Sequence, residues 1–501
     1  MNTLAPRSKR SVTRGWVARW AQLGPRFLPF ADAATPDLPL SRLLRLSLFQ
    51  VSVGMALVLL VGTLNRVMIV ELNVPAALVA VMVALPVLYA PLRALIGFRS
   101  DTHRSALGWR RVPFIWMGTL IQFGGFAVMP FALLVLSGGG ESQQWPAWIG
   151  PLGAGFTFLV VGAGLHTTQT AGLALATDLA SEESQPRVVG LMYVMLLAGT
   201  MASAFVFGAM LQDFSAGRLV QVLQAAAVAT LVLNTVALWK QEARRPQRAA
   251  AAGATPRPEF SQAWRVYIKG DGTRRRLVAI ALGTLAFGMQ DVLLEPFGGQ
   301  VLGMGVGATT WLTATLAAGT LVGFCIASAV LSRGADPALA RWMRADPARV
   351  ALAGAAIGVP AFAAVIATAA IASMALFVIG VFFIGLGVGL FGHGTLTLTM
   401  NHAPKEQAGL ALGAWGAVQA TAAGAGVALG GIGRDAVQAL AARGVFGEAL
   451  ATPATGYAFV YAIEIVLLLA TVAAMTALLR HEARQTAAQD IPNNRHQWSA
   501  P

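Results

Sequence analysis

The sequence predicts an all-α polytopic membrane protein with 12 transmembrane helices in two pseudo-symmetric halves of six. Three observations lead to this prediction. Of the 501 residues, 56% are hydrophobic and 12% are charged, which is about half the charged fraction of an ordinary soluble domain. Apolar segments near or above the roughly 20 residues that cross a bilayer recur along the whole chain. Short sequence matches also recur at a nearly constant offset.

Taken in order, the apolar segments form two sets of six. The first set comprises residues 44–70, 75–97, 113–137, 148–177, 188–211 and 218–239. The second set comprises residues 277–299, 307–331, 350–368, 373–398, 408–431 and 456–479. Many of the 54 glycines lie inside these spans, where small residues allow neighbouring helices to approach closely.

The internal repeat is visible at two places. Residues 64–69 align with residues 289–294 at an offset of 225. Residues 180–183 align with residues 403–406 at an offset of 223. Two nearly equal offsets indicate two related halves, as in transporters whose sites lie between structural repeats.

Polar segments flank and separate the two sets of spans. The chain is therefore predicted to consist of a basic tail, 1–43, a six-helix half, 44–239, a linker, 240–276, a second half, 277–479, and a second tail, 480–501. The first tail is rich in arginine and carries apolar residues at helical spacing. This pattern favours either an amphipathic helix on the membrane surface or a disordered tail.

The distribution of lysine and arginine predicts the orientation. If both tails lie on one side, that side and the adjacent helix ends hold 32 of the 36 lysines and arginines. The remaining four are Arg66, Arg218, Arg434 and Arg443. Because these residue types are enriched in cytoplasmic loops, we expect both termini to be cytoplasmic. Arg93, near the cytoplasmic end of the second span, is expected to extend toward lipid headgroups.

Charged and amide side chains inside the spans predict a central polar cluster. Asp291 and Glu295 lie four residues apart in the seventh span, so on a helix they share one face. The repeat places Asn65 opposite Gln290 and Arg66 opposite Asp291. Because an unpaired charge in the hydrocarbon core is costly, we expect Arg66 and Asp291 to pair between the halves. Such a pair is either part of a functional site or only a structural contact.

The loop after the second span has a pattern of its own. A glycine is followed four residues later by Asp101, and a second glycine precedes Arg110 and Arg111, with Arg104 between the two parts. The pattern resembles the loop signature of the major facilitator superfamily, with extra residues inserted. The resemblance implies that Asp101 caps a helix end and acts as a latch in one state of a rocking motion. Asp101 lies next to arginines and a helix terminus, and the attraction of its carboxylate to both favours such a latch.

A closer resemblance extends over more than half of the chain, from Leu44 to about Leu302. Five runs carry it: residues 46–55, 99–105 and 108–113, Gly62-Thr-Leu-Asn-Arg-Val-Met-Ile-Val-Glu71, and Gly288-Met-Gln-Asp-Val-Leu-Leu-Glu-Pro296. These runs resemble the PucC/LhaA family, the bacteriochlorophyll-delivery branch of the major facilitator superfamily.

The resemblance implies a function in phototrophic bacteria. Members of this family act in assembling light-harvesting antenna complexes and are associated with the supply of bacteriochlorophyll. We therefore expect a multi-pass protein of the bacterial inner, intracytoplasmic membrane that binds bacteriochlorophyll as cargo and delivers it to antenna polypeptides. Pigment-synthesis enzymes, the insertion machinery and membrane lipids are further expected partners.

A magnesium tetrapyrrole needs an axial ligand within an apolar site. Of the six histidines, only His166 and His393 lie inside predicted spans, and a neutral imidazole nitrogen of either could ligate the pigment magnesium. Asn65 and Gln290 could act through their carbonyl oxygens. The alternative is that each histidine only contacts polar side chains nearby. No metal bound directly by the protein is expected.

Several other classes of function are not expected from the sequence. None of the four lysines follows a glycine, so the phosphate-binding Gly-Lys loop is absent. The His-Glu-x-x-His, Cys-x-x-Cys and Gly-x-Ser-x-Gly motifs are absent as well, and we do not expect an enzyme. The formal net charge of +14 is spread over tails and alternate loops rather than one folded surface, which argues against nucleic-acid binding.

Two other functions stay open at this stage. If the pair of Arg66 and Asp291 opened, Asp291 or Glu295 could take up a proton, as expected of a proton-coupled secondary transporter of a small solute or pigment precursor. A structural organiser that binds antenna helices without pigment is the third possibility.

Overall fold

The computed structural model shows a chain of long helices that pack into one bundle. It describes residues 30, 33–88, 93, 96, 99–100, 109–181, 184–242, 272–331, 346–402 and 408–489. Most of the basic tail 1–43, linker residues 243–271 and the last part of the tail 480–501 lie outside the described residues.

The described helices follow the predicted spans in order. The helices of the first half are α1 (Leu40–Glu71), α2 (Ala76–Leu88), α3 (Val112–Leu136), α4 (Ile149–Leu179), α5 (Gln185–Met210) and α6 (Ala216–Leu238). Those of the second half are α7 (Thr273–Gln300), α8 (Val306–Leu331), α9 (Pro347–Ile371), α10 (Met374–Asn401), α11 (Ala408–Ala442) and α12 (Ala454–Gln489).

The helices have the length and surface of membrane spans. Within the described ranges, 10 helices are long and apolar enough to cross a membrane. Large apolar side chains, among them Phe131, Phe156 and Ile371, are exposed on the outside of the bundle, as expected for a surface in contact with lipid. The all-helical, multi-pass membrane architecture predicted from the sequence is thereby confirmed.

Two helices depart from regular α-helical geometry at positions that the repeat relates. In α1, π-helical turns at Val58–Thr63 and Val67–Glu71 flank Arg66. In α7, a 3-10 turn at Gln290–Val292 interrupts the helix at Asp291. Such irregular turns inside helices frequently occur at functional sites. The irregular geometry therefore draws attention to the same short stretches that the sequence singled out.

Contacts between helices repeat from one half to the other. In the first half α3 packs on α4 and α1 on α5; in the second half α9 packs on α10 and α7 on α11. The halves meet along two equivalent pairs, α2 with α11 and α5 with α8. This arrangement is the pseudo-two-fold relation expected of two repeats, and it places α1 against α7 at the centre.

Several hydrogen bonds between the halves lie at one end of the bundle. We call it the connector end, because residues 72–75 join α1 to α2 there and residues 301–305 join α7 to α8. The Ala77 backbone N–H donates to Asp435 Oδ2 at 2.7 Å, and the Thr63 and Thr310 hydroxyls are 3.2 Å apart. These two hydrogen bonds join the halves at the connector end.

Candidate functional site

Arg66 is held by its own helix and by the connector between α7 and α8. Its side chain is 4% exposed and forms an ion pair with Glu71, while Nη2 donates to the Met304 carbonyl at 3.0 Å. The predicted pair with Asp291 is therefore wrong. The π-helical turn over residues 67–71 is the physical reason, because its i to i+5 hydrogen bonding brings residues five apart to one face.

Asp291 lies near the first half, and its carboxylate has no cationic partner within the ranges that the structure describes. The Asn65 Nδ2 donates to the Asp291 backbone carbonyl at 3.3 Å, and the neighbouring Gln290 Nε2 donates to Asp291 Oδ1 at 2.5 Å. Among the described residues, no lysine or arginine forms an ion pair with Asp291. Asn65 thus contacts the main chain of Asp291, whereas the repeat placed it opposite Gln290, and no cation of the described residues compensates the charge of Asp291.

Glu295 is buried between α1 and α8. Its Oε1 accepts a hydrogen bond from the Thr313 hydroxyl, whereas Oε2 has no hydrogen-bond partner among the described residues. Gly62 of α1 provides the space, because a Cβ at that position would overlap Glu295 Oε1. Glu295 and Asp291 therefore occupy different surroundings although they lie on one helix.

A third buried carboxylate, Glu464 of α12, was missed in the sequence. Its side chain is completely buried, and neither oxygen has a hydrogen-bond partner among the described residues. It lies close enough to Asp291 for their charges to interact, and the Tyr461 hydroxyl one turn away is also unpartnered. The sequence could have indicated Glu464, because it is a carboxylate inside the last apolar segment.

A cleft opens between α7, α8, α10 and α11. Phe287, Phe391 and Val388 supply apolar walls, and Gln290 and Asp291 lie at its polar end. The cleft therefore combines flat apolar walls with a few polar groups.

The two histidines lie in different halves, and each accepts a hydrogen bond through its backbone carbonyl: from the Thr170 hydroxyl at 2.7 Å for His166 and from the Thr397 hydroxyl at 2.9 Å for His393. Among the described residues, no side chain hydrogen-bonds to the ring of His166 or His393, and Nδ1 of each is buried without a partner. The His393 ring packs edge-on against Phe324, with centroids 4.4 Å apart. Their role as pigment ligands stays a prediction, and so does the alternative of a polar contact with neighbouring side chains.

Gln290 is the predicted pigment ligand that lines the cleft directly. Its Oε1 is buried without a hydrogen-bond partner among the described residues, while Nε2 is fixed by Asp291. The Asn65 carbonyl oxygen is also unpartnered. An amide oxygen held in this way is a suitable hard ligand for magnesium.

The predicted latch after the second span is only partly described. Asp101 and Arg104 lie outside the described residues. Arg111 Nε forms an ion pair with Asp178 Oδ2 at 2.9 Å, and the backbone N–H of Arg110 donates to Glu242 at 2.7 Å. These contacts join α3 to α4 and to the end of α6 within the first half.

Comparison with known proteins identifies the family. Residues 63–483 match the family described as PUCC protein. The chain is 63% identical over 424 residues to Protein PucC of Rhodovulum sulfidophilum, covering 84% of this chain and 91% of that protein. It is 26% identical over 392 residues to the Bacteriochlorophyll synthase 44.5 kDa chain of Rhodobacter capsulatus, covering 78% of this chain and 86% of that protein.

Solved structures with a similar fold are transporters. A bacterial homolog of the lysosomal transporter Spinster, in an inward-facing and unoccupied conformation, gives a TM-score of 0.64 at 15% identity over 88% of this chain and 96% of that chain. The nucleoside transporter NupG gives a TM-score of 0.58 at 13% identity over 86% of this chain and 98% of that chain. These similarities confirm the predicted major-facilitator-like fold. The family match and the high identity to the Rhodovulum protein show that the chain belongs to the PUCC protein family.

Proposed function

We propose that this protein is a membrane assembly factor for light-harvesting antenna complexes, which binds bacteriochlorophyll and hands it to antenna polypeptides. It would act in the inner membrane of a phototrophic bacterium, with both termini in the cytoplasm and without catalysing a reaction. Pigment-synthesis enzymes and the insertion machinery are its proposed further partners. Family membership supports the proposal, and so does a relative whose name refers to bacteriochlorophyll synthase.

The cleft between α7, α8, α10 and α11 is the observation that carries the proposal. Phe287 and Phe391 offer aromatic surfaces to a flat macrocycle, and Gly392 leaves one wall open. Gln290 Oε1 is the proposed ligand of the pigment magnesium. Helix packing alone does not account for an unpartnered amide oxygen at the end of an apolar cleft, because buried polar atoms are normally hydrogen-bonded.

The direct test is a near-infrared absorption spectrum of the tagged protein, purified in mild detergent from a phototrophic cell, with its partners identified in the same sample. We expect stoichiometric bacteriochlorophyll together with antenna or pigment-synthesis proteins. A colourless protein without such partners would contradict the proposal.

Filling the cleft should remove the pigment without unfolding the protein. A Cβ added at Gly392 meets no atom within 4 Å, and Gly392 lines the cleft, so the side chain of Gly392→Phe would extend into the pigment space. We expect about tenfold less pigment per protein in this variant, which corresponds to about 1.4 kcal/mol. Gly124→Phe is the matched control, because Gly124 in α3 also has open space around its Cβ and lies away from the cleft. Equal pigment content in the two variants would contradict the cleft as the binding site.

The unpaired carboxylates favour a second candidate function, a proton-coupled carrier. Carboxylates inside membrane spans that face the interior of a bundle commonly mark proton pathways. Glu464 meets this description in the described part of the chain, and it lies close to the buried carboxylate of Asp291. The transporter fold of the structural relatives is compatible with it.

Glu464→Gln separates the two functions. Glutamine has the shape of a protonated glutamate but cannot exchange a proton, so under the delivery function we expect antenna absorbance within about twofold of wild type, equivalent to about 0.4 kcal/mol. Under the carrier function, this variant would lose uptake driven by a pH gradient in membrane vesicles. Both measurements should be made on the same strain, and pH-dependent uptake that is abolished by Glu464→Gln would favour the carrier.

A further inference from the structure

The face of α7 that lines the cleft is apolar in its middle and polar at both ends. Four of its residues follow the i, i+3, i+4, i+7 spacing of one helix face: Thr284, Phe287, Gly288 and Asp291. Gln290, the proposed magnesium ligand, lies beside Asp291 toward the connector end. Thr284 lies at the other end of this face, about 9 Å from Gln290 along the helix axis. The aromatic wall of the cleft is therefore flanked by one polar group on each side.

The hydroxyl of Thr284 lacks a contact that threonines inside helices commonly make. Such a hydroxyl can donate to a backbone carbonyl one turn earlier, and that of Thr320, which also lines the cleft, does so at 2.9 Å. Thr170 likewise donates to the His166 carbonyl at 2.7 Å. It also accepts from Arg93 Nε at 3.1 Å, so Arg93 contacts α4 and does not extend to lipid headgroups as predicted. Among the described residues, Thr284 is the one threonine whose buried hydroxyl has no hydrogen-bond partner.

The cleft therefore holds two unpartnered polar atoms of different chemistry. Gln290 Oε1 is an acceptor and suits a metal ion, whereas the Thr284 hydroxyl can donate a hydrogen bond. Neither atom has a partner within the described ranges. Because a buried polar group without a hydrogen bond is costly, an occupant that supplied a partner to each atom would be stabilised in the cleft. Such an occupant carries a metal ion at its centre and an acceptor oxygen at its edge.

Bacteriochlorophyll has both of these features. Its magnesium takes an oxygen ligand, and an acetyl and a keto carbonyl at the rim of the macrocycle are conjugated with the ring. The distance from the magnesium to these oxygens is comparable with the separation of Gln290 and Thr284 along α7. The rings of Phe287 and Phe391 lie between, with centroids 6.0 Å apart, and the Phe391 ring packs on Gly283, next to Thr284. A flat ring against these side chains would bring its rim to the Thr284 end of the cleft.

We propose that the Thr284 hydroxyl donates a hydrogen bond to a conjugated carbonyl at the rim of the pigment whose magnesium Gln290 binds. This inference rests on the function proposed above and adds a residue that orients the cargo. Ligation of the magnesium alone leaves the macrocycle free to rotate about the axis through the metal. A second contact at the rim fixes that rotation, so the pigment would be held in one defined orientation.

Resonance Raman spectra of the purified complex with bacteriochlorophyll test the proposal, because a hydrogen bond lowers the stretching frequency of the carbonyl that accepts it. In the wild type, we expect one conjugated carbonyl to vibrate at a lower frequency than in a solvent without donors. Thr284→Val has nearly the same shape but no hydroxyl, so it should return this band to the solvent frequency. It should also reduce the pigment per protein about fivefold, as expected for one lost hydrogen bond. Thr284→Ser keeps a hydroxyl and should keep the lowered frequency.

Thr320→Val is the matched control. Thr320 lines the same cleft, but its hydroxyl donates to the Leu316 carbonyl. Its replacement by valine makes the same chemical change without removing a donor that is available to the pigment. We therefore expect the carbonyl band of this variant at the wild-type frequency.

The other outcomes separate this inference from the proposed function. If the wild type binds pigment and both conjugated carbonyls vibrate at the solvent frequency, the Thr284 contact is refuted while pigment binding stands. A lowered band that persists in Thr284→Val, or that Thr320→Val also abolishes, would overturn the contact as well. A wild-type protein that binds no pigment would refute both proposals. Thr284→Ala makes the same test if Thr284→Val fails to fold, because it removes the hydroxyl without adding volume.

Discussion

Glu71→Ala is expected to lower the free energy of unfolding by about 3 kcal/mol. The substitution leaves Arg66, which is 4% exposed, with the Met304 carbonyl as its described acceptor. Removing one partner of a buried ion pair typically costs about 3–5 kcal/mol. We place the effect at the lower end, because the Glu71 side chain is itself 36% exposed and part of its charge is already screened by solvent.

Asp291→Ala is the matched control for Glu71→Ala. It removes the hydrogen bond from Gln290 but no ion pair among the described residues, so we expect a loss of no more than about 1 kcal/mol. Thermal unfolding of both variants in the same detergent, together with their abundance in membranes, compares the two effects. A larger loss for Asp291→Ala would mean that Arg66 depends on Asp291 after all, and that the Glu71 pair is secondary.

The predicted and the observed partner of Arg66 differ, and the difference shows which contacts a sequence repeat can predict. The repeat correctly brought α1 and α7 together, since Asn65 contacts the main chain of Asp291. It could not identify Glu71 as the partner, because a regular α-helix places residues three and four apart on one face. The π-helical turn at Val67–Glu71 aligns Arg66 with Glu71. The local sequence has no pattern from which we predicted such a turn.

Glu464 and the cleft were missed for different reasons. Glu464 is a carboxylate inside an apolar span, and the same cost argument that singled out Asp291 applies to it directly. The cleft depends on how α7, α8, α10 and α11 cross, and its lining residues come from positions more than 100 residues apart. Composition and periodicity define the helices but not the space left between them, so this part of the site required the structure.

The glycine-rich run of α10 shows the same division between what could and could not be predicted. The sequence indicated that glycines permit close packing, but it could not assign each glycine to a neighbour. In the structure, Gly385 and Gly389 face the backbone of α8, Gly387 faces Gly354 of α9, and Gly392 faces the open cleft. One short run therefore contributes to two helix interfaces and to the binding space.

Gly389→Ala is expected to destabilise the protein by about 3 kcal/mol, the upper part of the range for overpacking. An added Cβ would overlap the Thr320 carbonyl oxygen and lie 2.8 Å from the Phe324 backbone nitrogen. Both atoms belong to the main chain of α8, so they cannot move aside by changing a rotamer. Relief of the overlap requires α8 and α10 to separate, which would loosen the contacts along their whole length.

Gly392→Ala, one turn further along the same helix, is the control for Gly389→Ala, and it should act in the opposite direction. Its Cβ meets no atom within 4 Å, and replacing glycine by alanine in a helix is favourable by up to about 1 kcal/mol. We therefore expect thermal unfolding in detergent to show a lower midpoint for Gly389→Ala and an equal or higher midpoint for Gly392→Ala. If both variants unfolded at the wild-type midpoint, α8 and α10 would be farther apart than the structure places them, and the cleft beside them would have to be wider. Because Gly392 lines the cleft and Gly389 lies in the adjoining helix contact, the pair of alanine variants also separates loss of fold from loss of pigment.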